Sequence, residues 1–421
     1  MESKIVTWSL AIAALFSMTG TALGAGLTPQ QELGKAIFFD ANLSLNGNQA
    51  CAACHGPDAG WTGPDSTINA AGAAYEGSVA GRFGGRKPPS SAYAASSPIL
   101  HVVIEGDADE ALFIGGNFWD GRATGERLGN PAAEQAQGPF LNPLEQALPN
   151  KTSVVTRVCA ASYPVTFETV YPGACDPAKV DEAYDKIAFA IAAFEASPES
   201  NAFTSKFDAY LADKAVLSKE ERLGLNLFNG KGKCAACHTL GQAKGRKDGP
   251  PLFTDFTFDN LGVPRNPANP FYAQVAFNPA GDAWVDMGLG GFLEQRADYA
   301  AYAPDNYGKH KVPTLRNVDK RSSAAFVKAY GHNGYFKTLQ QIVHFYNTRD
   351  TKPVCANDPA TAADESLFTP VEQAISQGCW PEPEVAINVN NSELGNLHLT
   401  EDQEDAIVEF LRTLSDGYMA P

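Results

Sequence analysis

The pentapeptide Cys51-Ala52-Ala53-Cys54-His55 recurs letter for letter as Cys234-Ala235-Ala236-Cys237-His238, and no other feature restricts the fold as strongly. Cys-x-x-Cys-His is the spacing at which a chain takes up a c-type haem. Two thioethers to the vinyl groups pin the ring, and the adjacent histidine then offers its imidazole to the iron. A single Cys-x-x-Cys also fits a redox dithiol or half a zinc site. Two identical pentapeptides predict two covalent haem c groups, with Cys51, Cys54, Cys234 and Cys237 as attachment points and His55 and His238 as iron ligands.

The duplication extends upstream. Leu27-Thr28-x-x-Gln31-x-Leu33-Gly34-x-x-Ile37-Phe38 precedes the first motif, and Leu217-Ser218-x-x-Glu221-x-Leu223-Gly224-x-x-Leu227-Phe228 precedes the second, at an offset of 190 residues. Each segment opens with a hydroxyl cap and a Gln or Glu three places on, which starts a helix. Partner helices are predicted over 181–196, with Ile187, Ile191 and Phe194 on one face, and over 400–414, with Ile407, Phe410, Leu411 and Leu414. Gly81 to Pro89 and Asn260 to Pro270 are Gly, Pro and Asn rich and read as long loops. The fold class is therefore mainly α, two cytochrome-c-like haem domains with long irregular loops.

At 421 residues the chain is too long for one core and suits two or three domains. Residues 1–24 carry Lys4, an apolar run from Ile5 to Met18 and a small-residue exit, the pattern of a secretory signal cleaved near Gly24. The run is too short to span a membrane comfortably. A periplasmic product is expected, with no membrane span after cleavage, an N-terminal haem domain at 25–198 and a C-terminal one at 199–421. In such an oxidising compartment the remaining cysteines should pair with near neighbours, Cys159 with Cys175 and Cys355 with Cys379. A formal net charge of −16 makes nucleic acid an unsuitable partner.

The sixth position of each iron decides between electron transfer and chemistry. With His55 and His238 assigned, His101, His310, His332, His344 and His398 remain, and Met287 is the one methionine outside the signal and the C-terminal tail.

Further segments carry a resemblance: Phe118-Trp119-Asp120-Gly121-Arg122-Ala123, Gln135-Ala136-Gln137-Gly138-Pro139 with Glu145 seven residues after Gly138, Val312-Pro313-Thr314-Leu315-Arg316-Asn317-Val318, and His332-Asn333-Gly334 followed by Phe345-Tyr346-Asn347. Across nearly the whole chain beyond the signal, the sequence resembles the bacterial di-haem cytochrome c peroxidase and MauG superfamily. The resemblance implies an oxidoreductase in which an N-terminal peroxidatic haem meets hydrogen peroxide and a C-terminal haem transfers electrons. It also implies an external donor, such as a small c-type cytochrome or a cupredoxin, or in the MauG manner a protein substrate whose residues are oxidised. A plain di-haem electron carrier is the third reading, and a homodimer would be ordinary for the family.

Residue roles follow from the same likeness. Glu145 would lie over the N-terminal haem and move protons during O–O cleavage, with Gln135 and Pro139 in the same distal pocket. Trp119 would stand between the haems as a relay, and Arg316 near a haem propionate. Two departures matter. Relatives that need reductive activation carry a distal-loop histidine, but none occurs between Gly56 and Leu100, so the first iron is expected open as made unless His101 swings in. Fourteen residues after His332, where those relatives place a methionine ligand, stands Tyr346, as in the MauG branch; His344, Met287 and a tyrosine that merely packs are the alternatives. The family also holds Ca²⁺ between its domains through an asparagine side chain, and here that position is Lys87, a poor neighbour for the ion.

Overall fold

In the computed structural model, residues 26–105, 110–241, 249–356 and 365–419 are described; the expected signal segment lies outside them. Helix α1 (Pro29–Phe38) begins at a capping box in which the Thr28 hydroxyl accepts from the Gln31 amide and the Gln31 side chain accepts from the Thr28 amide. Helix α2 spans Pro131–Leu141, α3 Val180–Glu195, α4 Lys219–Asn229, α5 Leu339–Thr348 and α6 Glu401–Arg412. Helices α4, α5 and α6 carry capping boxes at Ser218, Thr338 and Thr400. Each box satisfies two amides that have no partner inside the helix.

The duplication is visible as packing. Helix α1 lies on α3, and α4 lies on α6. A Cβ at Gly34 would sit 1.8 Å from the Ala190 carbonyl oxygen, and one at Gly224 would sit 1.8 Å from the Ala406 carbonyl oxygen. Only glycine permits that crossing, which is why it recurs in both copies. The crossing presses Phe38 against Phe194 (5.4 Å between centroids) and Phe228 against Phe410 (5.2 Å). Each crossing heads a buried cluster: one runs from Leu33 to Phe194 and takes in Leu252 and Phe256, the other from Phe207 to Leu414. Helix α2 covers α3, and α5 covers α6.

Both expected disulfides are present, Cys159–Cys175 and Cys355–Cys379. Not expected from the sequence are two small antiparallel pairs, β1 (His101–Glu105) with β2 (Glu110–Ile114) and β3 (Phe258–Asp259) with β4 (His310–Lys311). They are short, and Phe113 of the first and Phe258 of the second meet in a third cluster. Long loops carry much of the rest. Arg86, in one of them, donates to Asp120 (2.6 Å) and to both oxygens of Asp286 (2.6 Å each), tying the two halves of the chain. Among the described residues no helix is long and apolar enough to cross a membrane.

Candidate haem sites

Two cavities open beside the two pentapeptides. The first, about 390 Å³, is lined by Cys51, Cys54 and His55; the second, about 200 Å³, by Cys234, Cys237 and His238. None of these four cysteines is in a disulfide. The Nδ1 of His55 bonds the Trp61 carbonyl (3.3 Å) and that of His238 bonds the Phe253 carbonyl (2.9 Å). A carbonyl on Nδ1 fixes the tautomer that leaves Nε2 free for a metal. Burial keeps both rings neutral, driving His55 down to about 4 and lowering His238. Thiol pair, oriented neutral imidazole and cavity together fit a covalently held haem at each motif.

The rims of the cavities differ. Helix α2 is capped by Asn130, whose side chain accepts from the Ala132 and Ala133 amides, and it carries Gln135 and Pro139 to the first cavity. Pro139 has no N–H for the Gln135 carbonyl and its ring crowds that oxygen; the helix ends two residues later. The turn that follows brings in Glu145, held by the Asn142 side-chain amide (2.7 Å). Burial raises the Glu145 carboxyl above its usual range, against a smaller opposing pull from Arg122. Arg122 itself bonds Asp120 (2.8 and 2.9 Å) and covers the Phe118 ring at 3.7 Å.

Over the second cavity stands Tyr346, on the face of α5 shared with Ile342 and Val343. Burial, with Cys234, Cys237 and Asp259 adding, pushes its phenol above the ordinary range. The alternatives point elsewhere: His344 bonds Glu404 at 3.0 Å, and neither it nor the 37% exposed Met287 lines the cavity. His332 stacks on His310 at 3.6 Å and faces Glu384 at 3.5 Å. His101 is exposed and bonds the Ile99 carbonyl.

Trp119 is buried and lines both cavities. Its indole N–H donates to the Lys87 carbonyl (2.8 Å), and its own carbonyl accepts from the Lys311 amide (2.8 Å). The Lys87 ammonium is 5.9 Å from the indole centroid and donates to Thr62 Oγ1 (3.0 Å) and the Pro88 carbonyl (2.9 Å); burial pushes it down to about 8. Arg316 lines the second cavity but is no surface arginine. It is buried, bonded to both oxygens of Asp208 (2.9 and 3.0 Å) and to the Pro251 carbonyl (2.6 Å), so its charge is already balanced within the chain. Arg86, Lys311 and Glu195 also border these cavities. Sequence reasoning passed over them; the one signal was that Asp120, the partner of Arg86, belongs to the Trp-Asp-Gly-Arg segment.

Residues 28–216 match the family model described as di-haem cytochrome c peroxidase. The chain is 33% identical over 394 residues to the methylamine utilization protein MauG of Paracoccus denitrificans, covering 92% of this chain and 89% of that protein. It is 28% identical over 348 residues to the cytochrome c551 peroxidase of Nitrosomonas europaea, covering 80% and 81%. Among solved structures, the diheme peroxidase BthA of Burkholderia thailandensis superposes with a TM-score of 0.69 at 27% identity, over 93% of this chain and 87% of that one. Sequence, fold and the paired cavities agree: the chain belongs to the di-haem cytochrome c peroxidase family.

Proposed function

We propose that the protein reduces hydrogen peroxide to two waters at the first cavity, with two protons taken from bulk water and two electrons drawn through the second cavity from an external donor, either a small c-type cytochrome or a cupredoxin. The observation that carries this reading is the single indole bordering two unlike cavities, one under a carboxyl and the other under a phenol. When bound, the haems supply the iron at which the O–O bond is cleaved and the store from which electrons come. The chain supplies the rest. Glu145 takes the proton from one peroxide oxygen and delivers it to the other, which leaves as water. Gln135 and Pro139 shape the space around the oxidant. Tyr346 would hold the second haem together with His238, as a phenolate whose proton passes to water, a hard anionic donor that would lower the potential. Trp119 shortens the electron's path between the cavities.

Lys87 stands where the likeness puts a calcium-binding asparagine, and its ammonium donates to Thr62 Oγ1 and the Pro88 carbonyl, which argues against the ion at that position. The signal-like residues 1–24 support export to the periplasm.

Turnover of peroxide with a reduced small c-type cytochrome tests the reading, and loss of that turnover in Glu145→Gln is the expected result. A second reading is favoured by Tyr346 and by the likeness to MauG: oxidation of residues in a partner protein. It predicts a long-lived oxidised state after peroxide addition with no cytochrome turnover.

A further inference from the structure

The two units repeat one helix crossing, so unlike residues at matched positions along it are informative. Ala190 and Ala406 face Gly34 and Gly224, and Phe194 and Phe410 fill the same crossing. One residue further along, α3 has Glu195 where α6 has Leu411. Leu411 lines the second cavity, as an apolar ring requires. Glu195 lines the first, together with a side cavity of about 70 Å³ that reaches Gln135, Trp119 and Lys311.

Glu195 is 4% exposed. Its carbonyl accepts from Asn201, but its carboxyl has no hydrogen-bond partner among the described residues. The other charged and titratable groups on these cavities are held. Arg86 and Arg122 bind Asp120, Asn142 binds Glu145, and Thr62 and Pro88 hold Lys87. Ser97 with two carbonyls holds Lys311. Tyr75 and Tyr93 bond Asn69 and Asp416, and His55 bonds Trp61. On the helices packed against α3, Lys35 is paired with Glu199 at the surface, Glu134 caps the Gly125, Arg127 and Leu128 amides, and on the helix Lys151–Ala160 Lys151 pairs with Asp181 and Arg157 donates to the Asn42 and Ser44 carbonyls; Glu32 is exposed. No cation therefore neutralises Glu195, and burial alone lifts its carboxyl to about 8. It also stands first among the charges acting on Cys51, ahead of Glu145.

We propose that Glu195 is the redox-linked proton site of the first haem unit: its carboxylate binds one proton from water when an electron enters the cavity beside it and releases that proton when the electron leaves. The reasoning is electrostatic. An added electron makes a buried, poorly screened cavity more negative and favours the neutral acid; by reciprocity the bound proton favours the electron. The only bond made or broken is the O–H of the carboxyl, and bulk water supplies or takes the proton. The second unit, with Leu411, has no such group at this position. The proposal rests on haem attachment at Cys51 and Cys54.

The test is the midpoint potential of each haem in the purified two-haem protein, titrated spectroelectrochemically from about pH 5 to about pH 10. The first haem's reduction equilibrium falls with rising pH, by up to about tenfold per unit for one proton per electron. That dependence is lost in Glu195→Gln and in Glu195→Leu, the latter copying the second unit, and it survives in Glu145→Gln. A flat profile in the unaltered protein, a slope that persists without Glu195, or a slope lost with Glu145 instead would each overturn the assignment. Mass measurement separates the two levels. Protein without haem on Cys51 and Cys54 sinks the functional reading and this inference with it, whereas an attached haem with a flat profile sinks only the role of Glu195.

Discussion

The two haem units share everything that builds a cavity and differ in what closes it. Glycine crossing, paired phenylalanines, capping box and pentapeptide are common to both. Above the first cavity, however, a helix with Pro139 in its last turn leads to Glu145 and α3 adds Glu195, whereas above the second α5 presents Tyr346 and α6 presents Leu411. Two carboxyls face one site, while the other has a phenol and an apolar wall. A duplicated scaffold fixes two sites, and substitutions on the covering helices give them unlike linings, the difference on which the proposed division into a reactive and a relay site rests.

The largest expected difference between the two sites is in chemistry. Glu145→Gln should cost about 10²- to 10⁴-fold in peroxide turnover, measured by oxidation of reduced cytochrome, and leave the second haem's spectrum unchanged. Tyr346→Phe should do the opposite to the spectra, altering the second haem and sparing the first. Retention of the second haem's spectrum in that variant would remove Tyr346 as a ligand.

The shared scaffold predicts symmetric losses. Replacing both cysteines of either disulfide by serine should cost about 3 kcal/mol in thermal or denaturant unfolding, since the closed loops are of similar length, 16 and 24 residues apart in sequence. Gly34→Ala and Gly224→Ala should each destabilise by roughly 2–3 kcal/mol, because the new methyl meets a backbone carbonyl in both units. Unequal penalties would show that the two crossings are not equivalent.

The most selective difference is a dependence on pH. Glu195 carries a folded-state pKa raised from 4.5 to about 8, so the native protein holds its proton where the unfolded chain has lost it. Its contribution is fully present below about pH 4.5 and is lost as pH rises through about 8, at most about 1.4 kcal/mol per unit. Glu195→Leu should therefore gain in melting temperature over the parent as pH rises from 5 to 8, and a gap independent of pH would contradict the buried acid.

Much of this arrangement was legible in the sequence because its signals are local. Capping boxes, the repeated pentapeptide and the spacing of Ile187, Ile191 and Phe194 are all written within one or two helical turns, and the helices begin where those signals stand. The disulfides joined near neighbours. What stayed hidden was pairing over long separations. Nothing near Arg86 points to Asp286, 200 positions away, and nothing near Arg316 reveals that Asp208 balances it. Glu195 was hidden differently. It ends an amphipathic helix, where a glutamate ordinarily meets solvent, and only the alignment of α3 with α6 turns it inward.

Electron paramagnetic resonance of the oxidised protein as isolated reads whether the two irons are unequal. Expected are one high-spin ferric signal, from a first haem with an open face below Glu145, and one low-spin signal, from a second haem held between His238 and Tyr346. Two low-spin signals would mean that protein atoms close both sixth positions, and would contradict that inequality.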